Sequence, residues 1–369
     1  MRRYLQDQVE ADLAEKMVFV GGPRQVGKTT LAKSLLSDQT GYLNWDIPAH
    51  RERILRRELP DTSRWAFDEL HKNRRWRGFL KGLYDEHGAD REILVTGSAR
   101  LDFYRFGGDS LQGRYHYLRL HPLSVAELSM TSAADVESLF VLGGFPEPFL
   151  GASAVRAKRW AIEYRSRLIR DEVTSLESVR DLGAMEQLML ALPDRVGSPL
   201  SRNALREDLD LNHQTVSRWL DIFERLYAIF RLAPFGAPRL RAVKKEQKHY
   251  HVDWSIVPDE GARFENLVAS HVLKWVHFQH DTLGRELELR YFRDVDGREV
   301  DFVVVERREP ILLVEAKLTA TSASPALRYL KQRFPQADAW QVHLRGDRDS
   351  VTDDQIRLAS AQRFLGTLA

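Results

Sequence analysis

The chain has 369 residues, of which 43% are hydrophobic and 29% are charged, a composition typical of a soluble globular protein of two or three domains. It has no cysteine, which excludes disulfides, cysteine zinc sites and a cysteine nucleophile. No apolar run approaches the roughly 18 residues of a membrane span, so we expect a cytoplasmic protein that does not attach to a membrane. The 55 basic and 53 acidic residues nearly cancel, so partners must be inferred from local clusters of charge.

The first motif is FVGGPRQVGKTTLAKSLL, residues 19–36, where a strand-like run passes through a glycine-rich loop into a helical pattern. The spacing fits G-x-x-x-x-G-K-[ST], the Walker A loop that binds nucleotide phosphates. In such a loop the backbone N–H groups surround the β-phosphate, the lysine reaches the β- and γ-phosphates, and the threonine hydroxyl binds Mg²⁺. The alternative is a glycine-rich turn with a surface lysine. We predict a site for ATP and Mg²⁺ formed by Gly22, Pro23, Arg24, Gln25, Val26, Gly27, Lys28, Thr29 and Thr30.

A second motif, RWAFDEL, reads as a strand that ends in Asp68 and Glu69, about 40 residues after the glycine-rich loop. In ATPases with such a loop, an aspartate here holds Mg²⁺ and the next glutamate orients the attacking water. Two carboxylates at a strand end can also be ordinary solvated residues, but the preceding loop favours a Walker B motif. We therefore predict Asp68 as a metal ligand and Glu69 as a catalytic residue.

The next strand, in REILVTGSAR, also ends in polar residues, among them Thr96 and Ser98. A hydroxyl at this position could sense the γ-phosphate from between the two preceding loops, or it could simply cap a helix or turn. In SLQGRYHYLRLHPLS, Arg114 stands just before a further strand. Ser98 and Arg114 are thus added to Lys28 and Glu69 as candidate catalytic residues.

Taken in order, these motifs and GGFPEPFL resemble a bacterial and archaeal family of AAA-type ATPases whose C-terminal domain has no known function. The resemblance spans nearly the whole chain and implies an ATPase core in which Lys28, Asp68 and Glu69 have their usual roles. It implies that Arg114 acts on nucleotide, either as a sensor or as a finger donated to a neighbouring subunit. It also implies assembly into a ring-like oligomer, with a hexamer favoured.

Residues 198–235 have the pattern of a helix-turn-helix. Ser201 can cap the first helix and Asn212 the second, which would expose Gln214 and Arg218 for contact with DNA. The runs AIFRLAPF and KHYHVDW could form the strands of a wing. The link between them carries charges suited to DNA phosphates, on Arg239, Arg241, Lys244, Lys245 and Lys248. The alternative is a winged helix that serves only in packing or oligomerisation.

Near the C-terminus, REVDFVVVERREPILLVEAKLT reads as a hairpin of two buried strands. Asp301 on the first strand, with Glu315 and Lys317 on the second, resembles a restriction-endonuclease-like core, and Glu265 on a preceding helix could add another carboxylate. In such a core the carboxylates hold Mg²⁺ and the lysine assists the attacking water. The alternative is a set of buried charge pairs that only orients the hairpin, and we favour DNA binding over cleavage.

The predicted fold class is α/β, with an AAA-type ATPase domain at 1–150, a helical linker and winged-helix domain at 151–255, and a restriction-endonuclease-like domain at 256–369. The leading functional prediction is an ATPase that binds DNA and couples ATP turnover to remodelling or translocation. One alternative is an ATP-gated, Mg²⁺-dependent nuclease of defence or repair. Another is a signalling or regulatory ATPase with protein partners.

Overall fold

The computed structural model describes residues 1–98, 111–173, 181–236 and 247–368. The chain forms two compact units, Met1–His121 and Pro122–Ala369, each with sheet structure of its own. No helix in the described ranges is both long enough and apolar enough to cross a membrane.

The first unit is built on five strands, β1 Met17–Gly21, β2 Tyr42–Asn44, β3 Arg64–Asp68, β4 Glu92–Thr96 and β5 Tyr115–Arg119. All pairs are parallel, and the sheet order is β2-β3-β4-β1-β5. Parallel neighbours require crossover connections, which helices usually supply. The helices of this unit are α1 Gln6–Leu13, α2 Lys28–Ser34, α3 Pro48–Arg56 and α4 Trp76–His87.

The strand order determines which loops meet at one edge of this sheet. Strand β4 lies between β1 and β3, so the loops after β1, β3 and β4 emerge side by side at the carboxyl edge. Ligands of open parallel sheets bind at this edge, where the strand order changes direction. The predicted α/β core with a parallel sheet is confirmed.

The second unit starts with helices and an antiparallel strand pair. Ser201 and Asn212 cap two successive helices as predicted, accepting from the N–H groups of Ala204 and Thr215 at 3.2 and 2.7 Å. Assignment of this region as a winged helix stays a prediction. Its elements are α5 Ala133–Leu142, α6 Pro146–Leu150, α7 Ala154–Arg167, a π-helical segment Leu168–Val173, α8 Leu182–Ala191, α9 Arg202–Asp208, α10 His213–Arg225, β6 Ile229–Leu232 and β7 Lys248–His251.

A long helix, α11 Glu260–Leu283, precedes the second sheet of this unit. The sheet contains β8 Leu287–Arg293, β9 Glu299–Glu306, β10 Glu309–Thr319, β11 Asp338–Arg345, β12 Ser350–Val351 and β13 Ile356–Ser360. Its order is β12-β13-β11-β10-β9-β8, and the antiparallel β9–β10 pair confirms the predicted hairpin. Helices α12 Pro325–Arg333 and α13 Ala361–Leu365 complete the unit.

The division between the units falls earlier than the predicted boundary at residue 150. Residues 122–150 belong to the second unit because α11 anchors the segment that follows β5. The Lys274 ammonium donates to the Pro122 carbonyl at 3.1 Å, the Ser124 hydroxyl at 2.8 Å and the Glu127 carboxylate at 2.7 Å. These partners lie about 150 residues away along the chain, so no local pattern could reveal them.

Candidate nucleotide site and C-terminal charge cluster

The glycine-rich loop lies between β1 and α2, at the carboxyl edge of the parallel sheet. Gly22 has a φ of 141°, and a Cβ there would lie 2.3 Å from the Leu120 carbonyl oxygen, so a larger residue does not fit. Gln25 and Gly27 also have positive φ, at 61° and 99°. Left-handed residues in such a turn allow neighbouring N–H groups to converge on an anion.

Lys28 folds back over this loop instead of extending into solvent. Its ammonium donates to the Gly22 carbonyl at 3.0 Å and to the Pro23 carbonyl at 2.5 Å, and the residue is only 7% exposed. This position argues against a surface lysine in an ordinary turn. The ammonium lies within the loop where the phosphate-binding lysine was predicted.

Asp68, at the end of β3, is the centre of a buried hydrogen-bond network. Its Oδ2 accepts from the hydroxyls of Thr29 and Tyr42, and its Oδ1 accepts from the Thr96 hydroxyl, each at 2.7 Å. The two predicted Mg²⁺ ligands, Thr29 and Asp68, are therefore in direct contact. Their oxygens are the hard donors that Mg²⁺ prefers, so the residues present fit the ion. Tyr42 was not predicted, because a single hydroxyl at the start of a strand belongs to no motif.

Glu69 is turned away from this network by a left-handed backbone conformation, with a φ of 57°. Its Oε2 lies 3.2 Å from the Lys72 ammonium, which also donates to Asp46 at 2.5 Å. Burial raises the pKa of Glu69, which suits a carboxylate that has to accept a proton from water. Lys72 and Asp46 were not predicted, since they come from two loops 26 residues apart.

In the second unit, Gln214 and Arg218 lie on the exposed side of α10, as predicted. The opposite side is buried through Val216, Leu220 and Phe223. A groove of about 340 Å³ follows the exposed side and is lined by Gln214, Ser217, Arg218, Asp221, Ile222 and Arg225. Two arginines and one aspartate give this surface a positive balance.

The predicted basic link is only partly described. Arg239, Arg241, Lys244 and Lys245 lie outside the described residues. Lys248 is the first residue of β7 and is fully buried, with its ammonium 2.5 Å from Glu299, 3.0 Å from Glu265 and 3.8 Å from Asp301. The prediction that Lys248 contacts DNA is wrong, because a buried and paired ammonium cannot reach a phosphate.

Lys248 instead belongs to a charge cluster, which we define as Lys248, Glu265, Glu299, Asp301, Glu315 and Lys317. The structure brings the four predicted members of this cluster together. Asp301 accepts from the Ala316 N–H at 2.8 Å, and Lys317 lies 2.7 Å from Glu315. The Tyr250 hydroxyl donates to Glu265 at 2.6 Å. Lys248 and Tyr250 were not predicted in this cluster, since both precede the domain that supplies the carboxylates.

The arrangement of the charge cluster does not fit a Mg²⁺ ion at the predicted site, Asp301 and Glu315. The Lys248 ammonium pairs with Glu265 and Glu299, and the Lys317 ammonium pairs with Glu315, so two lysines already compensate the carboxylates that would bind the ion. Within the described ranges no group of three or more His, Cys, Asp or Glu residues is arranged to hold a metal ion. The Lys248 ammonium supplies positive charge among the carboxylates instead.

Comparison with known protein families divides the chain into three parts. Residues 14–129 match the AAA domain family, residues 133–259 match a domain of unknown function, DUF8612, and residues 260–363 match another, DUF4143. The first match covers the glycine-rich loop, Asp68 and the parallel sheet. Residues 14–129 are an AAA-type P-loop domain.

Individual relatives are distant. Uncharacterized proteins of Haemophilus influenzae and Mycobacterium tuberculosis are 21% and 24% identical over 354 residues, covering 85% and 87% of this chain and 85% and 78% of their own. Among solved structures, a RuvB variant of Thermotoga maritima is 16% identical with a TM-score of 0.32, covering 62% of this chain and 88% of its own. The Aeropyrum pernix ORC1 protein in complex with DNA is 13% identical with a TM-score of 0.36, covering 73% and 93%.

In the AAA domain, Ser98 lies two residues beyond β4, at the carboxyl edge that holds the glycine-rich loop. The residue is buried, and its hydroxyl has no hydrogen-bond partner within the described part of the chain. This position keeps Ser98 among the candidates for contact with nucleotide.

Arg114 lies at the opposite edge of the AAA domain sheet. Its carbonyl accepts from the N–H of Met17, the first residue of β1, and its side chain pairs with Asp85 at 2.9 Å. From Met17 to Gly21 the strand rises about 13 Å, at about 3.3 Å per residue. A sensor role within its own subunit does not fit this position, because the side chain starts at the wrong edge and is already paired.

Proposed function

We propose that this chain is an ATPase that hydrolyses ATP with Mg²⁺ and binds DNA. The observation that carries the ATPase proposal is the contact between Thr29 and Asp68 beside the glycine-rich loop. The Thr29 hydroxyl, at the start of α2, meets the Asp68 carboxylate, at the end of β3. The glycine-rich loop beside them has a backbone that can surround a phosphate. Membership of residues 14–129 in the AAA domain family supports the same proposal.

Each residue of the site has a distinct task in this proposal. Thr29 and Asp68 would hold Mg²⁺, which neutralises phosphate charge during transfer. The Lys28 ammonium, which now donates to the Gly22 and Pro23 carbonyls, would donate to phosphate oxygens when ATP binds. Glu69 would orient the attacking water and accept its proton, and Thr96 would keep Asp68 in place through its 2.7 Å hydrogen bond.

The position of Arg114 supports a role for assembly in hydrolysis. Its side chain lies on the edge of the sheet away from its own glycine-rich loop, so it can serve a nucleotide only in another subunit. We propose that Arg114 is donated across a subunit boundary in a ring-like oligomer, for which a hexamer is the favoured size. Its present partner, the Asp85 carboxylate, is half-exposed, so the Arg114 guanidinium can leave this carboxylate and pair with a phosphate of the neighbouring subunit.

DNA binding is supported by the exposed side of α10 and by the basic residues between β6 and β7. Gln214 and Arg218 lie along one groove, and its polar and positively charged lining is what a helix that contacts DNA would present. The charge cluster is paired internally through Lys248 and Lys317, which favours a structural role for it over metal-dependent cleavage. The alternative is a regulatory ATPase with protein partners, which a negative result in the DNA-binding experiment would favour.

Replacing Lys28 tests the ATPase proposal. Lys28→Ala should weaken ATP binding about 100-fold, because charge-assisted bonds to the phosphates are lost. Isothermal titration with Mg–ATP measures the dissociation constant, and Lys81→Ala, which removes an exposed lysine on α4, is the matched control. Equal affinity and turnover in Lys28→Ala and Lys81→Ala would reject the nucleotide site.

Replacing two residues of the basic link tests DNA binding. Lys244→Ala combined with Lys245→Ala should weaken binding to unrelated DNA sequences alike and lower the log–log salt slope by about 2, since each lost phosphate contact contributes about 0.9. Fluorescence anisotropy at several salt concentrations measures both quantities. Lys158→Ala, an exposed lysine on α7, serves as the control. An unchanged slope would favour the protein-binding alternative.

A further inference from the structure

A buried arginine lies against the glycine-rich loop from the N-terminal side of the first unit. Arg3 is 6% exposed, and its two terminal nitrogens donate to the carbonyls of Val26 and His121, each at 2.6 Å. The next residue, Tyr4, donates its hydroxyl to the Arg119 carbonyl at 2.5 Å and accepts from the His121 N–H at 3.1 Å. The segment before α1 therefore connects the loop to the residues that follow β5.

The carbonyl that Arg3 holds is at a conformationally sensitive point of the loop. Val26 stands between Gln25 and Gly27, both of which have positive φ. In a trans peptide unit the carbonyl and the following N–H point in opposite directions. A guanidinium that holds the Val26 carbonyl on one side of the loop therefore directs the Gly27 N–H to the other. Within the described ranges, this N–H makes no hydrogen bond to the protein.

We propose that Arg3 is a positioning residue for phosphate binding, which holds the Val26–Gly27 peptide with its N–H facing the bound phosphate. This inference rests on the proposed nucleotide site. Without Arg3, the glycine would allow the peptide to rotate, because its backbone accepts either sign of φ. An arginine suits the task, since its planar fork binds two carbonyls at once, whereas a lysine presents a single charged point.

The test compares Arg3→Met with Arg2→Met, which removes a neighbouring arginine that is 69% exposed and paired with Asp7. Arg3→Met should raise the dissociation constant for Mg–ADP about 10-fold, since one charge-assisted bond to phosphate is weakened. The KM for ATP should rise by a similar factor while kcat stays nearly constant, because Thr29, Asp68 and Glu69 are unaltered. Arg2→Met should match the unaltered protein.

A second readout follows the Gly27 amide itself. In protein labelled with ¹⁵N-glycine, the Gly27 resonance should shift on addition of Mg–ADP, and this shift should be much smaller in Arg3→Met. A purely structural role would lower the melting temperature without changing the dissociation constant of the folded protein or the Gly27 shift. That result, in a folded Arg3→Met, would overturn the inference while the proposed nucleotide site stood.

If Arg3→Met does not fold, Arg3→Gln keeps a polar side chain but removes the charge that strengthens the bond to the Val26 carbonyl. An increase in the dissociation constant is expected for Arg3→Gln, and an unchanged constant together with an unchanged Gly27 shift would overturn the inference. Failure of the unaltered protein to bind ATP or ADP would instead reject the proposed function and this inference with it.

Discussion

Glu69→Gln should bind ATP with nearly normal affinity and hydrolyse it at least about 100-fold more slowly. Loss of a general base typically costs a factor of about 10²–10⁴, and an amide cannot accept the proton of the attacking water. Binding should survive, because Lys28, Thr29 and Asp68 are untouched and Glu69 makes none of the contacts within the Asp68 network. Titration with Mg–ATP and a phosphate-release assay measure the two quantities separately.

The control for this variant is Glu10→Gln, which removes one exposed carboxylate on α1 of the same unit. It should bind and hydrolyse ATP like the unaltered protein. Unchanged turnover in Glu69→Gln would assign the proton acceptor to another residue. Loss of both binding and turnover would indicate that the Glu69–Lys72 contact supports the site structurally.

The same variant tests whether Arg114 acts between subunits. Glu69→Gln and Arg114→Ala should each be nearly inactive alone. Mixed together, they should recover part of the ATPase activity, because an intact Glu69 can then face an intact Arg114 across a boundary. No recovery, over a range of mixing ratios that permit subunit exchange, would contradict action in trans.

Lys248→Met should destabilise the second unit by about 3–5 kcal/mol, the usual cost of removing one partner from a buried ion pair. The ammonium contacts Glu265 and Glu299 directly, and methionine would leave these carboxylates without a cation. Hydrogen exchange of the β9 and β10 amides reports the local free energy of opening. Lys158→Met, which removes an exposed lysine of the same unit, should have almost no effect.

This loss of stability should depend on pH. Folding raises the pKa of Glu265 to about 7 and that of Glu315 to about 8, from 4.5 in the unfolded chain. Such carboxyls favour the folded state most at pH values below their pKa in the unfolded chain. That contribution disappears as the pH rises through the folded values. The ammonium lowers the pKa of Glu265, so its removal raises that pKa further, and Lys248→Met should lose least stability near pH 5 and most near pH 8.

Two outcomes decide the role of Lys248. Partial recovery of stability when Glu299→Gln is added to Lys248→Met would support charge compensation, since one uncompensated carboxylate is then removed. Equal stability of Lys248→Met and the unaltered protein at pH 8 would contradict it, because the carboxylates would then have to be stabilised by some other group.

The sequence by itself determined the nucleotide half of the candidate site. The loop around Lys28 is local in the chain, so its spacing specifies its geometry. Asp68 and Glu69 could be predicted because parallel strands bring their carboxyl ends to one edge, wherever each strand stands in the sheet. The β9–β10 hairpin was predictable for a similar reason, since side chains alternate between the two faces of a strand. This alternation shows on which face of each strand Asp301 and Glu315 lie.

Only the tertiary structure decided the contacts that join distant segments. Lys248 stands in a run of basic residues that looks solvated, yet strand β7 turns it inward to Glu265, which is 17 residues away. The parallel pairing of β5 with β1 placed Arg114 beside Met17, at the edge opposite the glycine-rich loop, and packing brought Arg3 to the carbonyl of Val26. The physical reason is the same in each case. A side chain's partners depend on the register and packing of elements far apart in the chain, and no local pattern of residues records them.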